Sequence, residues 1–182
     1  MATASNVSTG KAKVGGAVYV APKGTSLPTD ASTALASDYK GLGYVSEDGL
    51  TTTKTLNSGK IKAWGGDSVL NYQEGVEYAA KFKLLEALNL DVLKTVYGAS
   101  NITGTTLATG IEIDVTADEP TEYVWVFEIV MRGGIAKRIV IPCASITELG
   151  DIVYKDNEAV GYDITLGAVV TSGSFSIEYI KS

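Results

Sequence analysis

The chain contains no histidine and a single cysteine among 182 residues. Without histidine it lacks the commonest general base and the commonest metal ligand, and with them every Ser-His-Asp or Cys-His arrangement. Lysine or paired-carboxylate chemistry remains, and either needs groups held in a desolvated cleft. The nearest candidates, Asp118, Glu119 and Glu122, surround Pro120 in a turn ahead of an apolar run and lack the spacing of a calcium loop. They read as a solvated turn. Cys143 follows Ile139, Val140, Ile141 and Pro142, so it reads as a buried, inert thiol with no disulfide partner in the chain. Gly10 to Gly16 lacks the Gly-Lys-Ser/Thr ending of a phosphate loop. These residues give no catalytic, cofactor or metal site, and the expectation is a protein that is not an enzyme.

A second group could act by contact rather than by reaction. Lys54, Lys60 and Lys62 lie in a long stretch interrupted by Gly59 and Gly65-Gly66. They read either as a solvated face or as a surface that meets acidic groups on a neighbouring copy. Trp64-Gly65-Gly66-Asp67 reads either as a binding loop or as a turn with a packed tryptophan.

The elements that would position these residues are mostly strands. Twenty glycines and four prolines suit many tight turns, and 182 residues suffice for one domain with a sizeable core. Residues 1–14 read as a flexible arm, 15–182 as a single β domain, and about 47–75 as a long functional loop with strand-like fragments at 60–64 and 68–70. Val76 to Leu84 alternates, with Val76, Tyr78, Ala80, Phe82 and Leu84 on one face and Glu77, Ala79, Lys81 and Lys83 on the other. A helix is predicted over about 89–97, with Asn89 as N-cap, Asp91 in the first turn, Lys94 in the last and Gly98 at the stop. A short helical turn is expected at Ala31 to Leu35, and a loop from Gly98 to Gly110. Tyr123 to Met131 is apolar on both faces except for Glu128, which predicts a central strand, and Gly133-Gly134 predicts a two-residue hairpin turn. Strands are also expected at 151–155, 162–170 and 174–180. The fold class is mainly β: two antiparallel sheets in a sandwich or barrel-like domain with one flanking helix.

Charge narrows the partners. The net charge of −6 argues against gripping nucleic acid or an anionic membrane. Residues 1–110 hold 10 basic and 9 acidic side chains, whereas 111–182 hold 5 and 12. No apolar run has the length of a membrane span, and the polar Met1 to Gly10 does not resemble a signal peptide, so a cytoplasm-like compartment is expected.

Ordered segments of the chain carry a resemblance. Gly16-Ala-Val-Tyr-Val-Ala-Pro-Lys-Gly-Thr-Ser-Leu-Pro-Thr-Asp30 and Leu42-Gly-Tyr-Val-Ser-Glu-Asp-Gly49 resemble the N-terminal signature of major tail tube proteins of long-tailed (siphovirus-type) bacteriophages. Phe82-Lys-Leu-Leu-Glu-Ala87 and Asp91-Val-Leu-Lys-Thr-Val-Tyr-Gly98 are similar to the strand-then-helix segment of that family. The resemblance spans roughly residues 15–180. With the chain ending at Ser182, the extra immunoglobulin-like domain of some relatives is not expected. The resemblance implies hexameric rings stacked into a tube through which double-stranded DNA passes unbound. Implied partners are other copies of the chain, a tape measure protein and the tail terminator and distal tail proteins. It implies no cofactor, and a place in the virion tail after assembly in the host cytoplasm. A long loop carrying Lys54, Lys60, Lys62 and Trp64 would then meet the next ring. A channel for DNA should repel phosphates, so Glu112, Asp114, Glu128, Asp163 and Glu178 are candidates to face the lumen. A virion- or cell-surface β-sandwich that binds a ligand is the alternative.

Overall fold

The run Tyr-Val-Trp-Val-Phe-Glu-Ile-Val-Met at 123–131 has too many apolar side chains for one buried face, and the fold gives it two. In the computed structural model, which describes residues 2–182, this run is the strand at the centre of the molecule. The elements in chain order are β1 (Gly10–Ala12), β2 (Val18–Pro22), β3 (Lys40–Gly41), β4 (Thr51–Lys62), β5 (Ser68–Leu84), α1 (Leu90–Tyr97), β6 (Ile102–Thr106) and β7 (Gly110–Ile113). They continue with β8 (Tyr123–Met131), β9 (Ala136–Leu149), β10 (Tyr162–Ala168) and β11 (Ile177–Lys181). Two antiparallel sheets result. Nine strands follow the order β3-β2-β8-β9-β10-β5-β4, with β1 added to β8 and β11 to β9, and β6 pairs β7 in the second sheet. Among the described residues the chain is mainly β with one α-helix, as the sequence predicts.

On one face of β8, Trp125 and Phe127 join Val18, Val20, Phe82, Ile139, Ile141, Ile164 and Leu166 in the main core. Phe82 meets both rings edge-on at 5.8 and 5.2 Å, an arrangement favoured by the ring quadrupoles. The buried Trp125 indole N–H donates to the Ala144 carbonyl at 3.2 Å. On the other face, Val124 and Val126 pack with Ala21, Tyr39 and Val140, against Leu27, Leu35 and Tyr179. This second layer covers what would otherwise be a solvated sheet face.

Residues 40–46 tie the two ends of the large sheet together. The Leu42 N–H donates to the Val18 carbonyl on β2, while Ser46 N–H donates to Lys83 on β5 and Leu85 N–H donates back to Tyr44, each at 2.9 Å. Val45 bridges Leu84. The sheet therefore curls into a barrel-like form. The bend falls at Gly43 (φ +76°), where a Cβ would stand 1.9 Å from the Glu86 carboxyl carbon.

The helix begins as predicted: the Asn89 side chain accepts from the Asp91 N–H at 3.0 Å. Gly98, at φ +90°, ends it. Val92 and Leu93 carry its apolar face into the main core. Tyr162 and Tyr97 close over this junction with ring centroids 5.8 Å apart.

Several local expectations are corrected. Gly10–Ala12 is not free arm but a strand paired with Ile129–Met131 of β8. Within 47–75, the strand-like fragments belong to one long hairpin, Thr51–Lys62 paired with Ser68 onward, in place of a loop. The 98–110 segment holds β6 and the turn into β7. The turn after β8 has three residues, Arg132 to Gly134, spanned by Met131 N–H donating to Ile135 at 2.8 Å. Residues 151–155 form no strand. At 31–35 the chain bends without becoming helical, although Asp30 accepts from the N–H groups of Ser32 and Thr33 at 2.7 and 2.6 Å as an N-cap would.

Candidate functional site

The five acidic residues proposed to line a channel do not share a surface. Glu112 and Asp114 are exposed on and just beyond β7. Glu178 lies on β11, 2.7 Å from Lys137 Nζ. Asp163 lies on β10, 3.8 Å from Lys81 Nζ. Glu128 is the clear correction: only 4% exposed, it stands in the second core layer directly opposite Arg138 of β9, itself 1% exposed. Arg138 Nε donates to Glu128 Oε1 at 3.1 Å, and its other nitrogens reach the carbonyls of Asp30 and Thr33, both at 2.8 Å. Lys13 Nζ closes the cluster 2.6 Å from Glu128 Oε2. Burying a carboxylate is tolerable only with such partners, and the cluster leaves it no role toward a channel.

Asp163 belongs to a coherent polar face. Side chains of directly paired strand residues point the same way, and β5 pairs β4 on one side and β10 on the other. The outward positions are Thr51, Thr53 and Thr55 on β4; Glu77, Ala79, Lys81 and Lys83 on β5; Asp163, Thr165 and Gly167 on β10; and Ser145 and Glu148 on β9. The opposite side of the same strands carries Ala80, Phe82, Leu84, Ile164 and Leu166 into the core. The face is built of small polar residues with interspersed charge. Lys83 sits 3.4 Å from Glu158, which also meets Lys155 at 3.1 Å. The bond from Lys155, reinforced by its charge and by Lys83, holds the Glu158 carboxyl below its ordinary pKa. Glu77 and Glu148 were not among the sequence candidates. The alternation over 76–84 already placed Glu77 outward; Glu148 required the pairing of β9 with β10.

The same strands extend past the body as a two-stranded ribbon. β10 accompanies β5 only from Ala79 onward, and Ala79 pairs with Thr53, so the turns beyond have no third strand. Lys54, Lys60 and Lys62 are exposed there and make no ion pair among the described residues. Trp64 is fully exposed at the tip, next to Gly65 and Gly66 at φ +115° and +101°. The packed-tryptophan reading is thereby excluded. Ile61 and Leu70 are paired across the ribbon, and with Val69 and Tyr72 they are also exposed. A lone two-stranded hairpin is at best marginally stable in water.

The residues tested for chemistry do not converge. Asp118 is bonded by Thr116 Oγ1 at 2.6 Å and Asn101 Nδ2 at 3.3 Å, and these bonds lower its pKa. Glu122 pairs with Lys23 at 2.5 Å and is lowered by that bond and charge. Both are therefore ionised acceptors at neutral pH, unsuited to general-acid work. Cys143 is buried, and burial raises its thiol pKa, which disfavours the reactive thiolate. Among the described residues, no helix is long and apolar enough to cross a membrane.

No curated protein matches the chain at a significant level. A family model described as phage tail tube protein matches residues 4–182, nearly the whole sequence. The chain, with its barrel-like sheet, polar outer face and projecting hairpin, belongs to the phage tail tube protein family.

Proposed function

We propose that this tail tube subunit assembles into stacked, six-membered rings whose bore carries the double-stranded genome during delivery. The outer face of β4, β5, β10 and β9 lines that bore, and the β4–β5 ribbon reaches the adjoining ring. The observation that carries this reading is the continuity of the two features: one pair of strands supplies both the polar face and the unsupported ribbon. A polyanion slides freely only along a surface that does not replace its counterions with fixed cations. On this face Glu77, Glu148 and Asp163 outnumber Lys81 and Lys83, and Lys81 lies beside Asp163. Of the five acidic candidates, Asp163 faces the bore; Glu112, Asp114 and Glu178 lie off this face, and Glu128 is buried.

The subunit performs no catalysis in this role and needs no cofactor. Its partners are other copies of itself along the tube, the tape measure protein within it, and the terminator and distal tail proteins at its ends. It resides in the virion tail after assembly in the host cytoplasm. Electron microscopy of concentrated purified protein tests the reading. Hollow tubes or six-membered rings are expected; protein that stays monomeric at all concentrations would instead favour a surface ligand-binding module using Trp64.

A further inference from the structure

β5 has an apolar projection beyond one end and an apolar groove beyond the other. At its start, the Ser68 end, lies the ribbon tip with the fully exposed Trp64 and the exposed Ile61 and Leu70. Past its last residue, Leu84, the chain runs directly into Leu85, which lines a groove of about 920 Å³ between the start of α1, the β6–β7 hairpin and residues 154–162. Leu88, Leu107 and Tyr154 line this groove with their side chains largely in solvent, beside the partly exposed Ile113. Its volume is near the upper end of the roughly 300–1,000 Å³ of pockets that bury whole ligands, so it has room for an indole with neighbouring apolar side chains.

The charges are complementary. Lys60 and Lys62 flank the tip and lack ion-pair partners among the described residues. Glu86 lines the groove and the exposed Asp114 directly follows the lining residue Ile113, and neither is in an ion pair among the described residues.

We propose that the groove of one subunit receives the Trp64 tip of another copy of the same chain, with Lys60 and Lys62 set against Glu86 and Asp114. A tip cannot reach its own groove, because a 17-residue strand separating the two spans up to roughly 55 Å. The contact is therefore head-to-tail: each subunit offers a tip in one direction and a groove in the other, and the series repeats along the strand. This assignment rests on the tube reading and gives its axial contact a specific seat. It also explains why a ribbon of marginal intrinsic stability can carry so much exposed apolar surface.

Two measurements on the full chain test it. The other tryptophan, Trp125, is already fully buried, so an emission change on assembly reports Trp64. A blue shift is expected in step with the appearance of sedimentable tubes. Second, a Trp64→Cys chain is mixed with a Tyr154→Cys chain under mild oxidation. A disulfide between the two different chains is expected, at a level well above that in either variant alone, and the buried Cys143 does not compete. Trp64→Ala and Leu88→Lys should each raise the protein concentration needed for assembly by at least about thirtyfold, the scale of an interfacial hot-spot residue, while Trp125 emission stays native. Tubes that form with Trp64 still emitting as exposed, or without the mixed disulfide, would overturn the groove assignment and leave the tube reading intact. Wild-type protein that never assembles would overturn both.

Discussion

Arg138 and Glu128 face each other across the β8–β9 pair, with Arg138 Nε 3.1 Å from Glu128 Oε1, and both side chains are almost wholly withdrawn from water. The guanidinium also ties the 30–33 bend to the sheet through two backbone carbonyls. Removing one partner of such a pair strands the other's charge in a poorly solvated place. Arg138→Met is expected to cost about 3–5 kcal/mol, a fall in Tm of roughly 6–20 °C for a chain of this size. The double variant Glu128→Met/Arg138→Met should lose less than Arg138→Met alone. Thermal and urea unfolding of the three proteins measure this directly.

Lys13 links the same cluster to β1, whose three residues extend the β2 side of β8. Its ammonium is half exposed, so the pair is worth only about 0.5–1 kcal/mol. Lys13→Met is expected to leave global stability within about 1 kcal/mol of wild type while speeding amide exchange across Gly10–Ala12. Hydrogen exchange should show β1 opening locally while β8 stays protected by β9.

Acid should destabilise the subunit through a definable set of carboxylates. The Thr33 hydroxyl and the Thr33 and Ser32 amides hold Asp30 well below the usual carboxylate range. Asp118 is lowered by Thr116 and Asn101, Glu122 by Lys23, and Glu158 by Lys155 and Lys83. A carboxylate depressed in the folded state stabilises it above the unfolded pKa, near 4, and that contribution is lost as pH falls through the folded value. Unfolding free energy is therefore expected to be flat near neutrality in respect of these groups and to decline below about pH 4. Urea titrations from pH 7 to pH 3 check the sign, and Asp30→Ala should make the decline shallower.

Charge inversion on the polar face tests the proposed bore. Glu148→Lys combined with Asp163→Lys replaces two negative charges by positive ones where neighbouring strands already carry Lys81 and Lys83. The variant is expected to assemble, yet its tubes should retain double-stranded DNA at low salt and release it as salt rises, because cations on a bore exchange with the counterions of DNA. Wild-type tubes should retain none. Co-sedimentation with DNA across a salt series distinguishes the two.

Gly43 is the bend that lets residues 40–46 touch both β2 and β5. Gly43→Ala would hold an L side chain at φ +76° and push the Glu86 carboxylate off the Tyr44 N–H, which it now accepts at 3.1 Å. A loss of about 1–2 kcal/mol is expected from the backbone alone, measured by urea unfolding.

Local features were legible because short-range chemistry decides them. The Asn89 cap and the Gly98 stop bounded α1 correctly, since each acts on its own helical turn. The doubly apolar 123–131 run declared a central strand, and the alternation over 76–84 identified its outward charges. The missing histidine likewise disposed of whole classes of catalysis before any fold was known.

The fate of Glu128 shows where that legibility stops. A two-residue turn at Gly133-Gly134 would have set Glu128 opposite Ile139; the three-residue turn that forms sets it opposite Arg138. Because side chains alternate with a period of two, one residue of register decides both a strand residue's partner and its face. Sequence by itself determined a β-rich, histidine-free chain with one capped helix and a long charged segment bearing Trp64. Only the tertiary structure decided which strands became neighbours, and hence that Asp163, Glu77 and Glu148 share a face, that Glu128 lies in the core, and that tip and groove lie toward opposite ends of β5. Those relations depend on pairings between residues far apart in the chain, which no local pattern encodes.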